Sequence, residues 1–391
     1  MAFIGAPAFD GSTDNAGTGS ATMLALLPLP RLVFGAGSLS TITEELATLG
    51  VRRPLLVSDR GLERAGITAL ATKAMPPAAA FLDVPANPTT AAADAAFAAY
   101  QQGDCDGVIA LGGGSVIDTA KFVAALAGGG AASAFELLGH PERILPGISP
   151  LIAIPTTLGS GSESSPAAGL HAEPHSRAIG TRSSLLVPRV AICDPDLART
   201  LPPRLIAATG IDALAHCLEG YFAEPPSPIV DALALDGLAR AFTHVRAATE
   251  PSGESARAEL MAAAFAGGAA IHKGLGPAHA VAIVCGDQGQ HHGLLVAIAL
   301  PLTVALVARH APEKARRIAA ALGLADGSEI PDALRSLNSS VGIPATLRDA
   351  GYRAQALDEL AASMARSHFN RTSPYMPTTD DYLAIVKALT A

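Results

Sequence analysis

The chain has 391 residues, 49% of them hydrophobic and 16% charged, with a formal net charge of −8 and no tryptophan. That length gives a soft prior of two domains, and that composition can bury a sizeable core. The acidic balance excludes a general nucleic-acid binder, which needs a basic face for phosphates, and offers no polybasic patch to a membrane. Residues 1–22 are rich in Gly, Ser, Ala and Thr and contain Asp10 and Asp14. Without a basic segment followed by an apolar one, they read as a loose N-terminal arm and not as a signal peptide. No apolar run reaches transmembrane length without Gly, Pro or polar interruption. The four cysteines, Cys105, Cys193, Cys217 and Cys285, show no CxxC spacing. That usage fits small core thiols in a reducing compartment, so a cytoplasmic protein is expected.

From Leu29 to Asp194 the pattern alternates strands and helices. Strands are expected at Arg31–Phe34, Pro54–Ser58, Ala79–Val84, Gly107–Leu111, Leu151–Ile154 and Val190–Ile192, with helices over Gly61–Met75 and Thr90–Gln102. Compact apolar runs such as Pro54-Leu55-Leu56-Val57 suit parallel strands buried on both faces. The alternation implies βαβ units and a mostly parallel, Rossmann-like sheet. After Asp194 strand signals nearly vanish. Pro202-Pro203 opens a long helical segment, and helical patterns follow over Ile229–Ala247, Ser255–Ile271, Leu294–Arg309, Pro312–Leu322, Ile330–Leu337 and Asp380–Leu389. The expected architecture is an α/β domain over 23–195 and an all-α domain over 196–391.

The strand at Val108–Leu111 runs into Gly112-Gly113-Gly114-Ser115 and then a helix. Glycines let backbone approach a ligand closely, and a helix N-terminus presents free N–H groups to a pyrophosphate. Ser115 is placed to cap that helix and donate to a phosphate oxygen. The run is not GxGxxG, so a tight turn with no ligand is an equal reading. A hydroxyl-rich cluster, Pro155-Thr156-Thr157-Leu158-Gly159-Ser160-Gly161-Ser162-Glu163, follows the next strand and would share the same carboxyl edge. Asp59, also ending a strand, could bind ribose hydroxyls there and repel a 2′-phosphate, or stand as a surface acid.

In Gly210-Ile211-Asp212-Ala213-Leu214-Ala215-His216, the acid and the imidazole are four residues apart, hence neighbours on one helical face. They can share a divalent cation, or they can be an ordinary acid and a core histidine. His279 in Gly274-Leu275-Gly276-Pro277-Ala278-His279, and His292 thirteen positions later, would complete three imidazoles and one carboxylate. That donor set suits Fe2+ or Zn2+ more than Mg2+ or Ca2+.

These stretches, with Gly112–Lys121 and Ile154–Ser160, appear in order, and the chain from about Arg31 to Ala391 resembles the iron-containing, group III alcohol dehydrogenase family. The resemblance implies a dehydroquinate synthase-like architecture: a dinucleotide-binding α/β domain, an all-helical metal- and substrate-binding domain, and a cleft between them. It implies metal ligands at Asp212, His216, His279 and His292. Cofactor contacts are implied at Asp59, Asn87, Gly113, Gly114, Ser115, Asp118, Thr156, Thr157 and Ser160, while Lys121 belongs to its helix. It further implies NAD, with NADP possible, a small alcohol or aldehyde substrate, and a homodimer.

Two departures stand out. Relatives usually carry a histidine four residues after the third ligand, where this chain has Ile283, which leaves His291 as the candidate proton relay. The loop from Cys285 to Gln290 is one residue shorter than the usual form, which sets His291 against His292 as fourth ligand. The expected activity is hydride transfer between nicotinamide C4 and an alcohol whose oxygen meets a Lewis-acidic metal. Alternatives are a maleylacetate reductase-like oxo-acid reductase, which need not use the metal; a non-redox metal and NAD enzyme of related fold; or a ligand-binding protein without catalysis. A carboxylate-bearing substrate would find its partner in Arg371 or Arg182.

Overall fold

The computed structural model describes residues 28–75, 79–174 and 176–391; the arm expected over 1–22 lies outside them. The strands are β1 (Arg31–Phe34), β2 (Pro54–Val57), β3 (Ala79–Phe81), β4 (Gly107–Gly112), β5 (Leu151–Pro155), β6 (Ala167–His171), β7 (Ala178–Arg182) and β8 (Val190–Cys193). Six of them form one parallel sheet in the order β1-β8-β5-β4-β2-β3.

The apolar runs are continuous because the central strands are covered on both sides. Alternate residues of β4 serve opposite cores: Val108 and Ala110 pack with Val116 and Ile117, whereas Ile109 and Leu111 pack with Ile42 and Leu46. From β2 the chain moves outward to β3, and from β4 it moves the other way to β5. The crevice beyond the carboxyl ends of β2 and β4 is therefore the topological switch point, where open α/β sheets bind ligands.

The C-terminal half is helical, as expected. Its central helix, Pro203–Phe222, is buried on all sides from Ile206 onward. Around it stand the helices Pro228–Ala248, Glu254–Ala270, Pro277–Val284 and His292–His310, followed by Pro312–Ala321, Ile330–Ser340, Leu357–Ala365 and Thr379–Thr390. By length and composition His292–His310 is apolar enough to cross a membrane, but most of it is buried, with residues such as Leu295 and Val304 in the helical core.

Several features differ from expectation, among them the helix Pro277–Val284, for which no helical pattern is expected. The run Gly61–Met75 is two helices, Arg60–Arg64 and Ile67–Ala74, broken at Gly66, whose φ of 76° lies in the left-handed region. Helix Leu357–Ala365 was not anticipated. Nor was the antiparallel hairpin of β6 and β7, where Gly169 faces Gly180 and small residues give little strand signal.

The two halves meet through backbone. A Cβ on Gly159 would lie 2.0 Å from the Thr209 carbonyl oxygen, and one on Gly161 would lie 2.5 Å from the Gly268 nitrogen. The hydroxyl-rich loop after β5 is thereby sunk between the helix that carries Asp212 and His216 and the helix Glu254–Ala270.

Candidate metal centre and cofactor edge

Asp212 and His216 stand one turn apart on the buried central helix. His279 comes from the first turn of Pro277–Val284, and His292 opens the helix His292–His310. Asp212 Oδ1 lies 3.8 Å from His216 Nε2 and 3.6 Å from His279 Nε2. The ring of His279 is 4.8 Å from that of His216 and 5.4 Å from that of His292. Of the two competing histidines, it is thus His292 whose ring faces His279; His291 is the exposed N-cap residue.

Asp212 Oδ1 and His279 Nε2 are both buried without a hydrogen-bond partner. Leaving such atoms unpaired costs about 1–3 kcal/mol each, so they call for an occupant. Their separation is too long for a hydrogen bond. It is close to the roughly 3.4 Å between two ligands that each sit about 2.1 Å from one tetrahedral cation. The donor set of Asp212, His216 and His279, mutually within 4.8 Å, therefore fits a divalent first-row ion.

The electrostatics agree. Burial would raise Asp212, but the imidazoles of His216, His279 and His292 hold its carboxyl well below the usual range. Burial would lower His279, but Asp212 and Glu219 outweigh it and hold the imidazole at about 9. Burial lowers His292 to about 4 and also lowers His216, against the pull of Asp212. The buried anion thus stays charged, and a cation there would displace the proton that His279 otherwise keeps.

Each imidazole is oriented from behind. His216 Nδ1 lies 3.2 Å from the Gly159 carbonyl oxygen, which makes it the donor there and frees Nε2 to face the cluster. His279 Nδ1 donates to Glu219 Oε2 at 2.6 Å. The same buried carboxylate accepts from the backbone N–H groups of Gly276 at 2.9 Å and Ala278 at 2.7 Å. Glu219 therefore fixes one tautomer and also holds the start of the short helix that carries His279. The sequence reading missed it, although Asp212, His216 and Glu219 at i, i+4 and i+7 share one helical face. Ile283, half-buried, stands one turn beyond His279.

At the sheet edge, Gly113 is the N-cap of helix Gly114–Ala127, with no side chain capping it. A Cβ on Gly113 would lie 2.8 Å from Thr157 Cγ2, and one on Gly114 2.8 Å from Ser160 Cβ. The glycine turn and the hydroxyl-rich loop are thus pressed together. Ser115 corrects one expectation: its hydroxyl does not cap the helix but donates to the Ala86 carbonyl at 2.6 Å, beside exposed Asn87. Thr156 is buried and its N–H donates to Gly112. Asp118 accepts from the Ser162 hydroxyl and from the Gly169 N–H, tying the loop to the β6–β7 hairpin. Asp59, half-buried after β2, caps helix Arg60–Arg64 by accepting from the Leu62 N–H at 2.9 Å. Lys121 is fully buried and donates to the carbonyls of Ser165 and Ala167, a structural role.

Comparison with known proteins identifies the family. The model of the iron-containing alcohol dehydrogenases matches residues 30–195, and that of the C-terminal region of the Fe-containing alcohol dehydrogenase family matches 206–390. Among similar proteins is a 4-hydroxybutyrate dehydrogenase of Cupriavidus necator, 37% identical, with the match covering 88% of this chain and 94% of the relative. Lactaldehyde reductase of Escherichia coli (strain K12) is 30% identical over 90% of this chain and 96% of its own. Of solved structures, 1,3-propanediol oxidoreductase superposes with a TM-score of 0.85 at 26% identity, covering 93% and 99% of the two chains. Sulfoacetaldehyde reductase from Bifidobacterium kashiwanohense in complex with NAD+ does so with a TM-score of 0.84 at 25% identity, covering 94% and 99%. The chain therefore belongs to the iron-containing alcohol dehydrogenase family, a metal-dependent oxidoreductase that moves hydride between NAD(P) and the CH–OH group of a small alcohol.

Proposed function

We propose that Asp212, His216, His279 and His292 hold one divalent cation, Fe2+ or Zn2+. The observation that carries this is the buried, unpartnered pair Asp212 Oδ1 and His279 Nε2. When bound, the cation supplies Lewis acidity to the substrate oxygen. Glu219 and the Gly159 carbonyl keep the imidazoles in the ligating tautomer.

The cofactor is assigned to the edge formed by Asp59, Asn87, Gly113, Gly114, Ser115, Asp118, Thr156, Thr157 and Ser160. The first-turn N–H groups of helix Gly114–Ala127 and its dipole receive the pyrophosphate. Ser115 contributes backbone there, its hydroxyl being engaged by Ala86. Asp118 sets the loop through Ser162 and Gly169. The helical half excludes water from the cleft. His291, exposed next to His292, takes the proton-relay role that the hydrocarbon of Ile283 cannot serve. A homodimer is supported by Leu32 and Phe34, exposed on edge strand β1, and a cytoplasmic setting by four free thiols.

Complete metal removal is expected to lower NADH formation from a primary alcohol by about 100-fold or more, with one Fe2+ or Zn2+ per chain restoring it. Undiminished activity in the metal-free protein would sink this reading. Asp59 gives a second expectation. Its uncapped carboxylate oxygen is available to ribose hydroxyls and repels a 2′-phosphate. Asp59→Ser keeps a helix cap and removes the charge, so the kcat/KM preference for NAD over NADP is expected to fall about tenfold. An unchanged preference would place cofactor choice elsewhere.

A further inference from the structure

Among the described residues, the guanidinium groups of Arg182 and Arg371 have no acid partner. Arg182 ends β7 and donates through Nη2 to the His272 carbonyl. Arg371 lies in the short helical stretch His368–Thr372. Its neighbour Thr372 donates to the Leu275 carbonyl at 3.2 Å and packs against Gly274, where any Cβ would meet the Thr372 hydroxyl at 2.1 Å. Arg182, from the sheet half, and Thr372, the residue after Arg371 in the C-terminal segment, thus touch the same short loop that leads into His279. His368 stands with them: burial and the positive charges of Arg371 and Arg182 hold its imidazole below the ordinary value. The His368 ring is 4.1 Å from that of Phe369, and Phe369 is 5.9 Å from His279. One aromatic ring therefore separates this basic group from the metal cluster.

Arg182, Arg371 and His368 are all solvent-accessible. Among the described residues neither arginine is in an ion pair, whereas Arg60 and Arg240 sit on carboxylates, in a chain whose net charge is −8. Like charges held together beside an apolar ring oppose each other unless an anion joins them, and a guanidinium fork matches a carboxylate.

We propose that Arg182 and Arg371 form the anion subsite of the substrate cleft, so that the alcohol this enzyme oxidises is a short hydroxy acid with its carboxylate remote from the carbinol. This rests on the metal cluster being the reacting end of the cleft. In the reaction the carbinol C–H bond breaks and its hydride passes to nicotinamide C4 of NAD+. The hydroxyl proton leaves to solvent, and the C–O bond becomes a carbonyl. NAD+ is reduced to NADH, the alcohol is oxidised to the oxo-acid, and the carboxylate is unchanged, held by the arginines.

The test compares 4-hydroxybutyrate with 1-butanol on metal-loaded enzyme and NAD+. The wild type is expected to favour the hydroxy acid in kcat/KM. Arg182→Gln and Arg371→Gln are each expected to lower that ratio about tenfold or more, mainly through KM, since each removes a charge-assisted contact to the carboxylate. Arg182→Lys, which keeps the charge and a donor to His272, retains most of it. An unmoved ratio in Gln variants that keep the wild-type melting temperature would overturn the proposal. So would a wild type that prefers 1-butanol, and a preference for the sulfonate isethionate would overturn the carboxylate assignment. Binding gives a readout without turnover: by calorimetry on the NADH complex, butyrate is expected to bind at least about tenfold more weakly to each Gln variant. Arginine-dependent butyrate binding by a protein that turns over no alcohol would support the subsite while refuting the dehydrogenase reading.

Discussion

Asp212→Asn is expected to lower metal content from about one ion per chain to near zero and to cut kcat about a thousandfold or more. Asp212 is the carboxylate whose Oδ1 faces both His216 and His279, whereas Glu219 holds His279 from its other ring nitrogen. Asparagine preserves the shape but removes the charge that offsets a dication in a dry site. Glu219→Gln gives a graded comparison. Glu219 touches His279 from behind and reaches no open position, so its loss is expected to weaken metal binding about 10–100-fold while excess metal restores most of the turnover. Metal analysis and steady-state kinetics on the two variants check both expectations. Full metal retention in Asp212→Asn would remove it from the ligand set.

Gly159→Ala is expected to destabilise the protein by about 3 kcal/mol or more and to weaken metal binding as well. A methyl there would sit 2.0 Å from the Thr209 carbonyl oxygen, a backbone atom of the buried central helix that has nowhere to go. The loop would have to lift from the helix. The same residue's carbonyl lies at 3.2 Å from His216 Nδ1, so lifting it also releases a ligand's orientation. Gly180→Ala is the control: nothing lies within 4 Å of a Cβ there, and the change is expected to stay within about 0.5 kcal/mol. Thermal and denaturant melts of the two variants measure the difference. Equal stabilities would show that the loop yields freely.

Where local pattern decides structure, the sequence was readable. β4 and β5 declared themselves because both faces are buried, which leaves an uninterrupted apolar run. Asp212 and His216 are neighbours by helical geometry alone. The meeting of His279 and His292 with that pair is a tertiary fact, which helical periodicity does not contain. The β6–β7 hairpin escaped because Ala167, Ala168 and Gly169 carry no strand preference; it pairs through backbone under cover of Asp118 and Lys121. Ser115 was misread because a hydroxyl at a helix start usually caps it, and the nearby Ala86 carbonyl competes for the proton. Glu219 was hidden by being an ordinary acid in an Ala-rich helix; only burial against two backbone N–H groups and an imidazole shows its purpose. Arg182 and Arg371, 189 positions apart in the chain, could be named singly but not brought together around His368.

The central claim is that Asp212, His216, His279 and His292 converge on one metal ion. Anomalous diffraction at the absorption edge of the metal, from crystals of the iron- or zinc-loaded protein, tests it directly. One peak per chain is predicted, about 2.0–2.2 Å from Asp212 Oδ1 and from an imidazole nitrogen of each histidine, with Glu219 outside the contact distance. A peak elsewhere, or an active enzyme with no peak at all, would contradict it.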